Sequence, residues 1–263
     1  MMPLRILYIH LTGPFSGASR SLFEVLLELS PSHVQPMFVT QEGSVVNFFS
    51  KLGPVITSRG LTKFDHTRYS YYRGARWLVL LREFAYLPFT LRALIAAKSK
   101  FGQVDIIHLN EFTGLFTLWI AKQFFKAPAV VHVRAVVNDD INSIRARFLR
   151  YLFRKLAARV IAIDQNVQRS LPKSLPVCVI HNSLRVASQA DTEVTTKALA
   201  RLSPSSFKVG FVGNLLSAKG ITELINAAHI LKSKGLNIEL VVVGDDVNPS
   251  NGFKSVVLRA LGL

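Results

Sequence analysis

The sequence predicts an α/β protein built on parallel sheets, and three observations lead there. Short apolar runs alternate with stretches of helical periodicity. Those runs are apolar at nearly every position, as strands covered on both faces require. A polar stretch interrupts the alternation once, after which it restarts, so two such modules are expected in the 263 residues.

The first module spans residues 1–185. Its strand candidates are "RILYIHL" (5–11), "QPMFVT" (35–40), "PVITS" (54–58), "VDIIHL" (104–109), "AVVHVRA" (129–135), "RVIAID" (159–164) and "PVCVIHN" (176–182). Helical patterns separate several of them, at 19–30, 112–125 and 141–158. Residues 186–206 are small and polar with few large apolar side chains, and read as a linker. The second module, 207–263, opens with strand "FKVGFVG" (207–213). Helix 220–235, strand "IELVVVGDD" (238–246) and a helix over 253–263 follow.

The run "WLVLLREFAYLPFTLRALIAA" (77–97) is long enough to span a bilayer, but it contains Arg82, Glu83, Pro88 and Arg92. Charges near a bilayer centre cost roughly 2.5–3.5 kcal/mol each. Two helices broken at Pro88 are the expectation. The chain begins MMPLRILYIHL, without the basic, apolar and small-residue succession of a signal peptide. The lone cysteine, Cys178, rules out an internal disulfide framework, and in "LPVCVIHNS" it reads as a small buried hydrophobe. A reduced, cytoplasmic setting is expected.

Charge is the unusual bulk feature. The net charge is +16, and it is uneven: residues 1–185 carry 24 basic and 10 acidic groups, residues 207–263 only 6 and 4. Such a surface attracts polyanions. Paired Cys/His zinc ligands and RNA-binding aromatic signatures are absent from the sequence, so nucleic acid ranks behind anionic lipid and phosphorylated small molecules. Basic and aromatic residues mix in "KFDHTRYSYYRGARW" (63–77), as at a membrane interface. Helix 141–158 pairs an apolar stripe with five arginines or lysines, and reads first as a core helix with a basic outer face.

Two places suit anion chemistry. "HLTGPFSGASRSL" follows the first strand, where Gly13 and Gly17 permit a tight turn before a helix N-terminus. It lacks both the dinucleotide fingerprint and the P-loop lysine. In the second module, Gly213 ends a strand and Lys219-Gly220 opens a helix. A lysine faces the positive end of the helix dipole there, a conflict that a bound diphosphate would remove. Strand ends also carry His10, His108, Glu111 and His132. Open α/β sheets place their ligands at such ends.

In order along the chain, these motifs resemble the family 4 glycosyltransferases of GT-B fold. "VGFVGNLLSAKGITELINAAHIL…LNIELVVVGDD" is similar to that family's donor-binding half. "SGASRSL" resembles its glycine-rich loop, "VDIIHLNEF" its Asp-Ile-Val-His-x-His strand, "ARVIAIDQNVQRSL" its following strand and helix, and "VIHNSL" the Val-Ile-x-Asn-Gly before the linker. The match covers about residues 5–246. The resemblance implies two facing Rossmann-like domains, here an acceptor-side domain over 1–185 and part of a donor domain over 207–263. It implies transfer of a sugar from a nucleotide sugar to a hydroxyl of a glycan or lipid-linked acceptor, usually with retention and with no metal or other cofactor.

On that resemblance, Lys219 steadies the leaving diphosphate, with Gly17, Gly213 and Asn214 at the phosphates. His132 faces donor sugar and acceptor, and His10, His108 and Glu111 are acceptor-side candidates. Asn182 reads as structural. Asn214 replaces the family's usual arginine, Asn110 the second histidine, and Arg20 the loop's Glu. The family's Glu-x7-Glu motif would lie beyond Leu263, so the expectation is a C-terminally truncated member with little or no activity by itself. The partners implied are a nucleotide sugar, a glycan or lipid-linked acceptor and an anionic membrane surface, with the protein cytoplasmic or peripheral at the inner membrane face. Two alternatives remain at this point: an inactive remnant that acts as a binding protein, and an unrelated nucleotide-binding Rossmann-like protein.

Overall fold

The computed structural model describes residues 2–29, 31–67, 79–138, 140, 142–183, 196–197, 199–215 and 219–244. The aromatic stretch 68–77, most of the expected linker and the expected helix 253–263 lie outside those residues. The chain divides into two compact units, Met1–Arg185 and Val186–Leu263.

Unit one alternates strand and helix as its periodicity requires. Strands β1 (Leu4–His10), β2 (Val34–Gln41) and β3 (Val55–Ser58) alternate with helices α1 (Gly17–Glu28) and α2 (Val45–Phe49). Helices α3 (Val79–Ala85) and α4 (Leu87–Phe101) lead to β4 (Ile106–Leu109). A 3-10 turn (Phe112–Gly114) runs into α5 (Leu115–Phe124), then β5 (Ala129–Val133), α6 (Ile144–Leu156), β6 (Ala157–Ala162), α7 (Gln165–Arg169) and β7 (Val177–Val179). Every pairing is parallel, in the order β3-β2-β1-β4-β5-β6-β7.

The chain winds outward from β1 in one direction as far as β3, then crosses back to lay β4 on the other side of β1. The carboxyl ends of β1 and β4 therefore border the topological switch point, where doubly wound sheets hold ligands.

Side-chain alternation splits the core in two. Leu7 and Ile9 of β1 join Ile107, Leu109, Val131 and Val133 beneath α4, α5 and α6. Tyr8 and Phe38 face the other way, against Leu22 and Leu26 of α1 and Phe49 of α2. Each fully buried Leu or Ile contributes about 1.5–3 kcal/mol of burial. On that second face the apolar pattern gives out toward β4 and β5. Tyr8 is paired in register with His108, whose ring lies 5.6 Å from that of His132. Histidines thus occupy positions at which a parallel sheet ordinarily presents Val or Ile.

Several expectations are refined. The long apolar run is broken at Tyr86, and Pro88 lies in the first turn of α4, where its missing N–H costs nothing. Strand β5 stops at Val133, and β7 is only three residues long. In α6 the buried stripe is Leu149, Leu152, Phe153 and Leu156, so its core role holds, while Ile144 is 85% exposed. Cys178 is exposed, contrary to expectation: among the described residues β7 is the edge strand, with no strand paired beyond it. Among the described residues, no helix is long and apolar enough to cross a membrane.

Unit two contains β8 (Phe207–Val212), α8 (Ile221–Ser233) and β9 (Ile238–Val243), with β8 and β9 parallel. Gly213 closes β8 with φ 155° and donates its N–H to the Val243 carbonyl at 3.0 Å. A Cβ on Gly244 would sit 1.8 Å from the Gly213 carbonyl oxygen, so the two strand ends can meet only as glycines.

The loops after β1 and β2 also meet backbone to backbone. A Cβ on Gly13 would lie 2.0 Å from the Glu42 carbonyl oxygen, whereas one on Gly17 meets nothing within 4 Å. Gly13→Ala is expected to lower stability by about 1–3 kcal/mol, as forced overpacking does. Gly17→Ala should change it by under about 0.5 kcal/mol. Urea unfolding of both variants checks the pair.

Candidate active site

The sequence places a polar residue at the carboxyl end of each central strand, and the fold gathers them at the switch point. Its organiser is Arg134, one residue past β5. The Arg134 Nε donates to Asn110 Oδ1 at 2.9 Å, and Nη1 donates to Asn182 Oδ1 at 2.9 Å. Its Nη2 lies 3.3 Å from His132 Nδ1.

A guanidinium offers only donors. Asn110 must therefore present its oxygen to Arg134 and its amide N–H groups elsewhere. Asn110 Nδ2 lies 3.0 Å from His10 Nδ1 and 3.2 Å from the Ala18 carbonyl. His10 Nδ1 is thereby the acceptor, and the ring's proton sits on Nε2, which faces Thr12 Oγ1 at 2.8 Å. The same logic makes His132 Nδ1 an acceptor and leaves its N–H on Nε2. That Nε2 is buried without a hydrogen-bond partner, as is His108 Nε2. Buried polar atoms of this kind are rare enough to need an explanation.

The electrostatics agree with neutral rings. Burial, followed by the Arg134 charge, lowers His10 and His108 to about 3. Burial, then Arg134 and His108, lowers His132 to about 2. Burial lowers Arg134 to about 10, with Glu111 opposing, so it stays charged at neutral pH.

Glu111 caps the turn into α5. Its Oε1 accepts from the Phe112 N–H at 2.8 Å and, more weakly, from the Arg134 N–H at 3.5 Å. Burial nevertheless pushes its carboxyl up to about 8, against those bonds and the Arg134 charge. Both bonds fall on Oε1, so the proton belongs on Oε2.

Gly17 opens α1 beside this cluster. The Ser16 N–H donates to Ser19 Oγ at 2.7 Å, while the first-turn amides have no acceptor within the helix. Asn182 Oδ1 also accepts from Ser21 Oγ of α1 at 2.9 Å, tying that helix to the end of β5 through Arg134. In unit two, Asn214 is exposed just after the Gly213 turn. Lys219 is exposed too, and Gly220, with φ 79°, is the N-cap of α8.

The structure thus brings His10, His108, Glu111 and His132 together in unit one, and in unit two it places Gly213 and Asn214 at the end of β8 and Lys219 just before α8. Sequence reading passed over Arg134 and Thr12 and treated Asn110 as a departure. The available signal was the polar residue two positions beyond each strand-end histidine: Thr12 after His10, Asn110 after His108, Arg134 after His132.

Stability should follow the titrations. Each histidine is lowered from 6.5, so the unfolded chain binds more protons than the folded one below about 6.5, and stability falls as pH drops through that range. Glu111 is raised from 4.5 to about 8, so stability falls as pH rises from 4.5 to 8. With three histidines against one carboxyl, the urea midpoint of unit one should peak near neutrality and drop more steeply on the acid side. His132→Gln should shallow the acid limb.

Comparison with known proteins fits this architecture. The family model for Glycosyltransferase Family 4 matches residues 15–187. The capsular polysaccharide biosynthesis glycosyltransferase CapM of Staphylococcus aureus is 30% identical over 111 residues, which cover 37% of this chain and 29% of CapM. The crystal structure of Anabaena HepE with UDP and glucose aligns over 98% of this chain and 66% of its own, at TM-score 0.70 and 18% identity. Sucrose-phosphate synthase from Thermosynechococcus elongatus aligns over 98% and 68%, at TM-score 0.58 and 15% identity. The chain therefore spans about two thirds of the solved structures it matches. The fold is GT-B-like, with one complete Rossmann-like domain and the first part of a second. The matched stretch, the strand order and the polar strand ends together identify this chain as a member of Glycosyltransferase Family 4.

Proposed function

We propose that the chain forms part of a retaining glycosyltransferase. It moves a sugar from a nucleoside-diphosphate donor to a hydroxyl of a glycan or lipid-linked acceptor, without a metal or other cofactor. The observation that carries this reading is Lys219 immediately before Gly220, the N-cap of α8, in the same unit as the positive-φ Gly213 that ends β8. The lysine and the positive helix end outweigh Glu223, the acidic residue of the first turn. A diphosphate resolves that local excess of positive charge. Charge develops on the diphosphate as the glycosidic bond breaks, and a fixed cation stabilises it most at that moment. The amides at Gly213 and Asn214 would help to hold the phosphates.

The donors bound by relatives favour the same class, since HepE was crystallised with UDP and glucose. In unit one, His132 would offer its Nε2–H to a sugar hydroxyl. Glu111, titrating at about 8, can take up or release a proton near neutrality, as a group facing an acceptor hydroxyl needs to. His10, locked as a neutral acceptor for Asn110, would position rather than transfer protons, and His108 would line the acceptor side.

The test has two readouts. Thermal melting of the chain should rise with one of a panel of nucleoside-diphosphate sugars, and Lys219→Ala should remove that rise. In a protein that transfers sugar, Lys219→Ala should lower kcat by about 10²-fold, the scale for losing one transition-state donor, and EDTA should leave the rate unchanged. If no nucleotide sugar shifts melting, the reading fails.

A membrane-surface partner is also proposed, with the protein working peripherally at the cytoplasmic face. Leu81 and Phe84 of α3 are 61% and 64% exposed, and Ile144 and Tyr151 of α6 are 85% and 51% exposed. Phe84 and Phe148 line one apolar hollow, which links the two helices. Arginines on α6 would meet anionic headgroups beside that patch. Phe84→Ser with Ile144→Ser should reduce co-sedimentation with phosphatidylglycerol vesicles several-fold while leaving the urea midpoint in place.

A further inference from the structure

A cavity of about 430 Å³ lies in unit one between α6, residues 136–138 and the end of α7. Its apolar wall is Leu149, Phe153 and Leu171, and its polar wall includes Arg150, Arg169 and Asn166. Among the described residues the lining has no acidic side chain. His66 also lines it, only 3% exposed, and neither of its ring nitrogens makes a hydrogen bond of normal geometry. Burial lowers its pKa, with Arg145 adding to the effect and Asp140, Asp65 and a hydrogen-bonding contact with the Asp140 backbone opposing it, so the ring is neutral.

The walls are tied together. Thr67 bridges to Val137, and the Asn138 N–H donates to the His66 carbonyl at 2.9 Å. The Val137 N–H donates to Ser170 Oγ at 3.1 Å, and that hydroxyl donates to the Val167 carbonyl. A neighbouring hollow of about 390 Å³ shares Arg150 and Pro172 with this cavity and adds Arg147 and Arg154. An apolar cleft thus opens beneath a mouth of arginines, with the His66 imidazole inside, poorly matched for hydrogen bonds.

Cavities of this size accept small ligands. A buried ring whose nitrogens make no hydrogen bond of normal geometry leaves room for a better-placed hydrogen-bonding group. Arginines recognise phosphate by paired charge-assisted bonds.

We propose that this cleft binds a phosphate ester. The phosphate would lie on Arg150, Arg169 and the His66 N–H, and the less polar remainder along Leu149 and Phe153. Its assignment as the phosphate-bearing end of the sugar acceptor rests on the glycosyltransferase reading above; the binding itself does not.

Isothermal titration of the 263-residue chain tests it, with farnesyl diphosphate as a lipid-type phosphate and glucose 1-phosphate as a soluble one. Arg150→Gln with Arg169→Gln should weaken the binding of whichever probe is taken by about 10²-fold, roughly tenfold for each charge-assisted bond lost. His66→Phe should weaken it by about tenfold on the same basis. Lys100→Gln with Lys126→Gln removes equal charge from exposed positions elsewhere, and should stay within about twofold at physiological salt. Tighter farnesyl diphosphate binding assigns a lipid-borne source, and tighter glucose 1-phosphate binding a soluble one. If neither probe binds, or if both charge-removal pairs weaken binding equally, the site is overturned. Phosphate binding that survives where no nucleotide sugar shifts melting would leave the cleft standing and remove only the acceptor assignment.

Discussion

Arg134 can only donate, and the order of the switch-point cluster follows from that. Its fork decides which way the Asn110 amide faces, and Asn110 then decides which nitrogen of His10 carries the proton. The same guanidinium fixes the His132 tautomer and, through Asn182, holds α1 against the end of β5. A lysine could not replace it, because a single ammonium cannot reach Asn110, Asn182 and His132 in fixed directions. The positive charge also helps to keep three buried histidines neutral. One side chain thus sets geometry, tautomer and protonation together.

The strand order gives that residue its place. Parallel strands send all their carboxyl ends to one edge, and the reversal between β1 and β4 opens a gap there that helices do not cover. The face of β1 that carries Tyr8 packs on α1 and α2. The matching face of β4 and β5 carries His108 and His132. Polar side chains at these positions forgo some of the burial that apolar ones would give, a departure from local consistency of the sort concentrated at functional sites.

The α6 helix divides its work by face. Leu149, Leu152, Phe153 and Leu156 fill the core, Arg150 and Phe153 border the cleft against α7, and Ile144 and Tyr151 look outward. Of the basic residues in 1–185, Arg147, Arg150, Arg154 and Arg169 border this cavity and its neighbouring hollow.

Much was legible in the sequence because it is local. Parallel α/β architecture follows from alternating apolar runs, and the turn glycines at 13 and 213 are needed, the first because a backbone approach leaves no room for a side chain and the second because its φ is positive. Strand-end histidines at 10, 108 and 132 could be read as candidates, since strands in such folds end at the ligand edge. The significance of Arg134 and Asn110 was not legible, because their roles depend on partners 24 to 100 residues away that only the strand order brings together. Cys178 was misread because burial depends on whether a strand is central or at the edge, which a short apolar run does not encode. The His66 cleft needed the packing of α6 against α7, fixed by long-range contacts rather than by any motif. The sequence by itself determined the fold class and the glycine turns, through periodicity and backbone sterics. Tertiary structure alone decided which polar groups meet and in what protonation state, because hydrogen-bond direction and burial are properties of neighbours in space.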